Sequence, residues 1–409
     1  MLPFVVAISF LGAGQPEVER GPWPQWGGAS RNFEVPSADL ADSWPPEGPR
    51  RLWKRALGDG YSSMAVVGKR LYTMYRKDDL ELVVALDAET GDTLWEHSYA
   101  TPFLPGTELK YGEGPLATPL VVGGRVYAVG VTGIFHCLDT QTGDVQWAHR
   151  LFEEFDGTIL FRGYSSSPIA YEGTVIVTVG GAGHAVVAFR LEDGAVAWKK
   201  QDFQISHSSP ILIQLRGEDQ LVVFASEVIV GLDPASGKLL WTHPQPSPGG
   251  HIASMPVWDG GNRLFFSCAY EGGSRCLELA REGDPTSAQE VWHNNKMRVH
   301  HSNVIRIDDL ILGPSGDFGP KTFRAVDLKT GKVIWQTRDL ERASSIYADG
   351  KVIALQEDGK LALATVSPAG LKVHSKVELF QGRAWTPPSL VGKTLYVRNR
   401  TDIMALELP

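Results

Sequence analysis

Residues 86–95 read Leu86-Asp87-Ala88-Glu89-Thr90-Gly91-Asp92-Thr93-Leu94-Trp95, and the same frame returns along the chain. It recurs as LDTQTGDVQW at 138–147, LDPASGKLLW at 232–241 and VDLKTGKVIW at 326–335. FRLEDGAVAW at 189–198 is a weaker copy, and 277–292 is a stretched one that carries the insertion REGDPTSAQ. Trp53 ends a partial copy, and Val373-His374 reads as a copy that has lost its Trp. The marks therefore fall at Trp53, Trp95, Trp147, Trp198, Trp241, Trp292, Trp335 and His374. Their steps are 42, 52, 51, 43, 51, 43 and 39 residues, a period expected of a repeat architecture.

Within each unit, Leu-Asp ends one strand and the Asp carboxylate can accept from turn amides two residues on. The Gly takes a positive φ at no steric cost, and three residues later the Trp lies on the returning strand. Upstream of the copies are further hairpins of apolar strands, such as ATPLVVGGRVYAV at 117–129 and SPIAYEGTVIVTV at 167–179. Four short strands every 40 to 50 residues, with no room for a long helix, predict an all-β propeller of four-stranded antiparallel blades. Seven units are complete, and an eighth, beginning at Trp385, lacks its outer strand. Residues 51–57 (RLWKRAL) supply that strand from the other end of the chain, so eight blades close by pairing the N-terminal strand with the C-terminal blade.

The chain has 409 residues, of which 43% are hydrophobic and 21% charged, as in a globular protein with a substantial core. Its net charge of −8 argues against a nucleic-acid partner, which selects for a basic face. Three Cys are too few for a disulfide scaffold or a four-thiolate zinc site. Cys268 and Cys276 flank a hairpin turn at 271–274. A four-residue loop there puts the thiols on opposite faces, and a five-residue loop would allow a cross-strand disulfide. Residues 2–13 (LPFVVAISFLGA) form an apolar run of signal-peptide length, too short to span a bilayer. The expected organisation is a signal peptide at 1–14, an N-terminal extension at 15–50 and one propeller at 51–409. Export to the periplasm or outside the cell follows, without a lipid anchor, because the first Cys is Cys137.

The LDxxTGxxxW unit resembles the repeat of the quinoprotein, or PQQ-like, eight-bladed propeller family. The opening Trp23-Pro24-Gln25-Trp26-Gly27-Gly28, with Trp44, Leu52-Trp53-Lys54 and Gly60-Tyr61-Ser62-Ser63, is similar to secreted bacterial PQQ-like repeat proteins. The resemblance covers about residues 21–409 and implies that each repeated Trp docks against the neighbouring blade. It also implies two functional classes, dehydrogenases and assembly scaffolds. The dehydrogenases hold pyrroloquinoline quinone with calcium through Glu, Asn and Asp, beside a catalytic Asp, an Arg, a stacking Trp and a vicinal Cys-Cys pair. No vicinal pair is present here, and no calcium triad matches residue by residue.

Candidate functional residues come from aligning the loops that lead into each innermost strand, which in a propeller ring one mouth of the central channel. These positions carry Tyr61, Leu116, Tyr164, His207, His251, His300 with His301, Arg342 and Trp385. Imidazole suits a metal or anion, Arg a carboxylate, and aromatics stacking. A metal site would draw on His207, His251 and His300 or His301. Equally, such side chains can simply hydrogen-bond loop carbonyls around a water-filled channel. No nucleophile with a visible base stands out, and Gly180-Gly181-Ala182-Gly183 lacks the helix and Lys of a phosphate loop.

The expectation is an exported, non-catalytic binding or scaffold module, monomeric and at most peripheral to a membrane. It would take a peptide, protein or small ligand at the mouth, need no cofactor, and resemble the propeller of the outer-membrane β-barrel assembly machinery. A PQQ- and calcium-dependent dehydrogenase of alcohols or sugars is the alternative, and a carbohydrate-binding propeller a weaker one.

Overall fold

The computed structural model describes residues 23–36, 39–102, 107–247, 252–270, 272–280, 286–316 and 321–409. The expected signal peptide and the start of the extension lie outside the described residues. Eight antiparallel sheets form the blades of a propeller, seven of them built from four consecutive strands. The first blade runs Ala65–Val67, Arg70–Lys77, Leu80–Asp87 and Thr93–Ala100. The eighth is completed from the other end of the chain: Arg50–Ala56 pairs antiparallel with Asp402–Glu407, joining Trp53 to Ala405. The closing strand therefore begins one residue earlier than the repeat suggests. Only one helix is present among the described residues, the single turn Leu151–Glu154.

Middle strands such as Leu80–Asp87 are buried on nearly every residue rather than on alternate ones. The cause is packing, since each blade is covered on both faces by its neighbours and alternation has no polar side to report. Every outermost strand carries a bulge just before the repeat Trp, for example between Val145 and Trp147 opposite Leu138 and Cys137. A bulge re-aims the side chain that follows it, and here it turns the indole towards the next blade. The ring lies over a small residue on its own blade: Ala85 faces Trp95, Cys137 faces Trp147 and Cys276 faces Trp292. Two of the three cysteines thus fill a position that needs little volume.

The Trp indoles also reach across. Trp53, Trp95 and Trp292 donate to the carbonyls of Ala88, Thr140 and Leu328 on the following blades at 3.1, 3.0 and 2.8 Å. Trp147, Trp198 and Trp335 do the same to Leu191, Pro234 and Ser367. Trp241 departs from this pattern and donates to Gln220 Oε1 on its own blade at 2.7 Å. The next blade is the one with the stretched copy, and Gly231 beneath the indole leaves the room it occupies.

Two register expectations are corrected. In the seventh blade the bulged residue is His374, and the residue at the Trp position is Ser375, opposite Leu363. Its Oγ accepts from the backbone N–H of Trp44 at 2.8 Å. In the fifth blade Cys268 pairs with Gly273 and Cys276 with Phe265. The hairpin turns two residues earlier than expected, so neither anticipated loop forms, and both thiols are buried and not joined in a disulfide.

The N-terminal extension is tied to four blades. Trp23 bridges Val66 on the first blade, and the Pro24 carbonyl accepts from Val121 N–H on the second at 2.8 Å. Arg31 donates to the Ser167 and Pro168 carbonyls leading the third blade at 3.2 and 2.8 Å. Glu34–Val35 then adds a parallel fifth strand to the seventh blade, beside Ala343–Ala348. The segment thus joins the innermost strands of the first and second blades and the lead into the third to the innermost strand of the seventh.

Candidate functional site

Above that segment opens a cavity of about 660 Å³ with Trp26 in its lining. The leading loops bring Tyr61, Leu116, His207, His300, His301, Arg342 and Trp385 to its wall. Tyr164 is not among them. It is wholly buried in the apolar cluster between the second and third blades, its ring 6.3 Å from that of Phe152. His251 lies outside the described residues.

Four rings from three blades stack in a row. His300 and His301 have centroids 3.5 Å apart at 29°, and His301 lies 4.7 Å from Trp385 at 24°. Tyr61 continues the row 5.1 Å from Trp385, and its hydroxyl donates to the Tyr111 carbonyl at 2.8 Å. Burial, with the nearby charges of His300 and Arg342, holds His301 well below the usual histidine range. It is therefore neutral at pH 7 and can stack without carrying charge. His207 Nδ1 is 2.7 Å from Ser165 Oγ.

The polar end centres on Glu357. Its carboxylate meets Lys321 Nζ at 3.1 Å, Arg342 at 3.4 Å and Arg383 at 3.8 Å. Burial alone would raise its pKa, but Lys321 and Arg342 outweigh that and lower it. Arg383 also lies over Tyr111 and Trp385, at 4.4 and 5.1 Å from their centroids. Arg162 approaches Tyr111 at 4.6 Å. Arg342 and Tyr270 hold positive φ angles of 42° and 56°, as do ten other non-glycine residues outside the cavity wall.

Several lining residues escaped the sequence reading: Glu108, Tyr111, Phe161 and Arg162, and also Tyr270, Lys321, Glu357 and Arg383. The first four sit on the long loops before the second and third blades, and the steps of 52 and 51 residues at those blades were their signal. Tyr270, Lys321 and Glu357 sit between the second and third strands of their blades. An antiparallel blade returns to the same face at that turn, so these loops share the mouth with the leading loops.

A calcium-held quinone does not fit these residues. Asn303 commits both ends of its amide to Ser345, donating to its carbonyl at 2.7 Å and accepting from its N–H at 2.9 Å. Glu357 is already neutralised by three cations, and no His, Cys, Asp or Glu group of three or more is placed to hold a metal among the described residues.

Comparison with known proteins gives both sequence and fold relatives. The family model described as outer membrane protein assembly factor BamB matches residues 46–129 and 79–337. BamB of Yersinia pestis is 25% identical over 306 residues, covering 68% of this chain and 71% of its own length. BamB of Shewanella oneidensis is 20% identical over 397 residues, covering 91% and 92%. Among solved structures, BamB from Moraxella catarrhalis superposes with a TM-score of 0.62 at 15% identity, over 88% of this chain and 99% of that one. A europium-containing methanol dehydrogenase superposes at 0.67 and 12% identity, over 95% and 98%. At these identities the two structures attest the PQQ-like propeller fold alone.

Proposed function

The chain belongs to the family of the outer membrane protein assembly factor BamB, and from that membership we propose that it is an exported, non-catalytic scaffold in the assembly of outer-membrane proteins. The observation that carries this reading is the family match across residues 46–337, which spans the first six blades. The partner is a protein, engaged through the mouth loops and the blade edges. Strand addition to an exposed edge or insertion of a segment into the mouth are both modes available to such a module.

The dehydrogenase alternative asks for metal donors that Asn303 and Glu357 have committed elsewhere. The experiment is a gene deletion followed by quantification of outer-membrane β-barrel proteins. Loss of those proteins, restored by the wild-type chain, supports the scaffold. Unchanged levels, together with lost quinone-dependent oxidation of alcohols or sugars, would replace it with the enzyme.

A further inference from the structure

The cavity differs from a neutral peptide groove in three respects. It is bordered by the N-terminal segment, whose Trp26 is in its lining and whose Trp23, Pro24, Arg31 and Val35 are tied to four blades. It is aromatic, with Trp385, Tyr61, Tyr111, Phe161 and Tyr270 in its wall. It is cationic, since Arg162, Lys321, Arg342 and Arg383 face only Glu108 and Glu357 among the described lining residues. That is four positive against two negative side chains, on a chain whose net charge is −8.

Of the three cations around Glu357, Arg383 stands off at 3.8 Å, beyond hydrogen-bond distance. A second carboxylate would meet the outward-facing donors of Arg383 and Lys321, which remain partly exposed. Guanidinium over an aromatic ring is a preorganised carboxylate receptor, since stacking fixes the plane of its fork. An apolar or aromatic group attached to that carboxylate would lie against the exposed ring of Phe161 and the edges of the row of His301, Trp385 and Tyr61, whose faces cover one another.

We propose that this cavity is a receptor for a carboxylate bearing an aromatic side group, and that the source is the C-terminal end of a partner protein chain. The inference rests on the scaffold reading in taking the partner to be a protein. A free aromatic acid offers the same chemistry, and the two sources separate by experiment. A cavity of 660 Å³ is in the range that takes a ligand of drug size, enough for the last few residues of a chain.

The test uses the full chain and a fluorescent, otherwise uncharged five-residue peptide ending in Phe, followed by anisotropy. Losing a charge-assisted contact costs about 1.5–3 kcal/mol, so the C-terminal amide should bind at least tenfold more weakly than the free acid. Arg383→Gln, at a half-exposed position, should weaken the acid about tenfold and leave the amide unchanged, with the melting temperature as a check on folding. N-acetylphenylalanine should compete more weakly than the peptide acid. Equal binding of acid and amide, or an acid insensitive to Arg383→Gln, overturns the carboxylate receptor. Competition by N-acetylphenylalanine as strong as the peptide overturns the chain end in favour of a small acid. If no carboxylate binds but deletion still depletes outer-membrane β-barrel proteins, this inference fails and the scaffold reading stands.

Discussion

The ring of Trp95 occupies the space that a Cβ on Gly143 of the next blade would need, 2.6 Å from the nearest ring atom. The same relationship links Trp53 to Gly91, Trp147 to Gly194, Trp198 to Gly237 and Trp292 to Gly331. The repeat glycine therefore has two reasons to be glycine. It holds a positive φ, 76° at Gly143, and it gives the neighbouring indole a flat backbone to lie on. Gly173 has a similar φ of 79° with nothing within 4 Å. Gly173→Ala should cost about 1–2 kcal/mol from backbone strain. Gly143→Ala adds overlap with Trp95 and should cost about 3 kcal/mol or more. Chemical denaturation of the two variants side by side checks this; equal losses would mean that the indole contact contributes nothing.

Arg398 staples the ring closure. It is fully buried in the last blade, and its guanidinium donates to the Gly60, Ser62 and Met74 carbonyls on the way into and within the first, each at 2.9 Å. Arg398→Met keeps the volume but leaves those acceptors without donors, at about 1–3 kcal/mol for each buried group left unsatisfied. The variant should unfold faster, and hydrogen exchange should rise first at strands 50–56 and 402–407. Uniform exchange across all blades would argue against a local seam.

Glu81 lies buried between the first two blades, accepting from the Val131 N–H at 3.0 Å and the Tyr99 hydroxyl at 2.9 Å. Burial pushes its carboxyl up to about 7, and the two hydrogen bonds pull it back only in part. Between pH 4.5 and 7 the folded chain then holds a proton that the unfolded chain has released. Stability from this group is complete below pH 4.5 and is lost as pH rises through 7. Glu81→Gln should remove that slope and melt no lower than wild type at pH 8. A variant that keeps the wild-type slope would place the titration elsewhere.

Arg31 anchors the segment that floors the cavity, and its burial lowers its pKa to about 9, still charged at neutral pH. Arg31→Met should release the floor, exposing Trp23 and Trp26 to water with a red-shifted emission, while leaving the blades folded. An unshifted spectrum would mean that Trp23, packed into Gly28 and Val66, holds the segment unaided.

The blade count, the closing strand and the docking of the indoles were legible because each unit repeats one physical problem. A turn, a bulge and an inter-blade contact must be solved eight times, and the solution leaves a periodic trace. The lost Trp of the seventh blade was misplaced by one residue because the His374 ring stands at the bulge itself and Ser375 offers no indole to mark the Trp position. The mouth was half legible. Loops leading the blades could be aligned on the repeat, whereas Tyr270, Lys321 and Glu357 lie at turns of variable length. Tyr164 shares an aligned position but turns inward, because the space between the second and third blades takes its ring. The path of the N-terminal segment was not legible at all, since residues 23–35 belong to no repeat and their partners lie on the first, second, third and seventh blades.

The most direct test is the outer-membrane proteome of cells lacking this chain, complemented with the wild type and with Arg383→Gln. The account predicts depleted β-barrel proteins in the deletion, full recovery with the wild type, and partial recovery with the variant. Unchanged β-barrel proteins, with a quinone-dependent oxidase activity lost and regained, would contradict it.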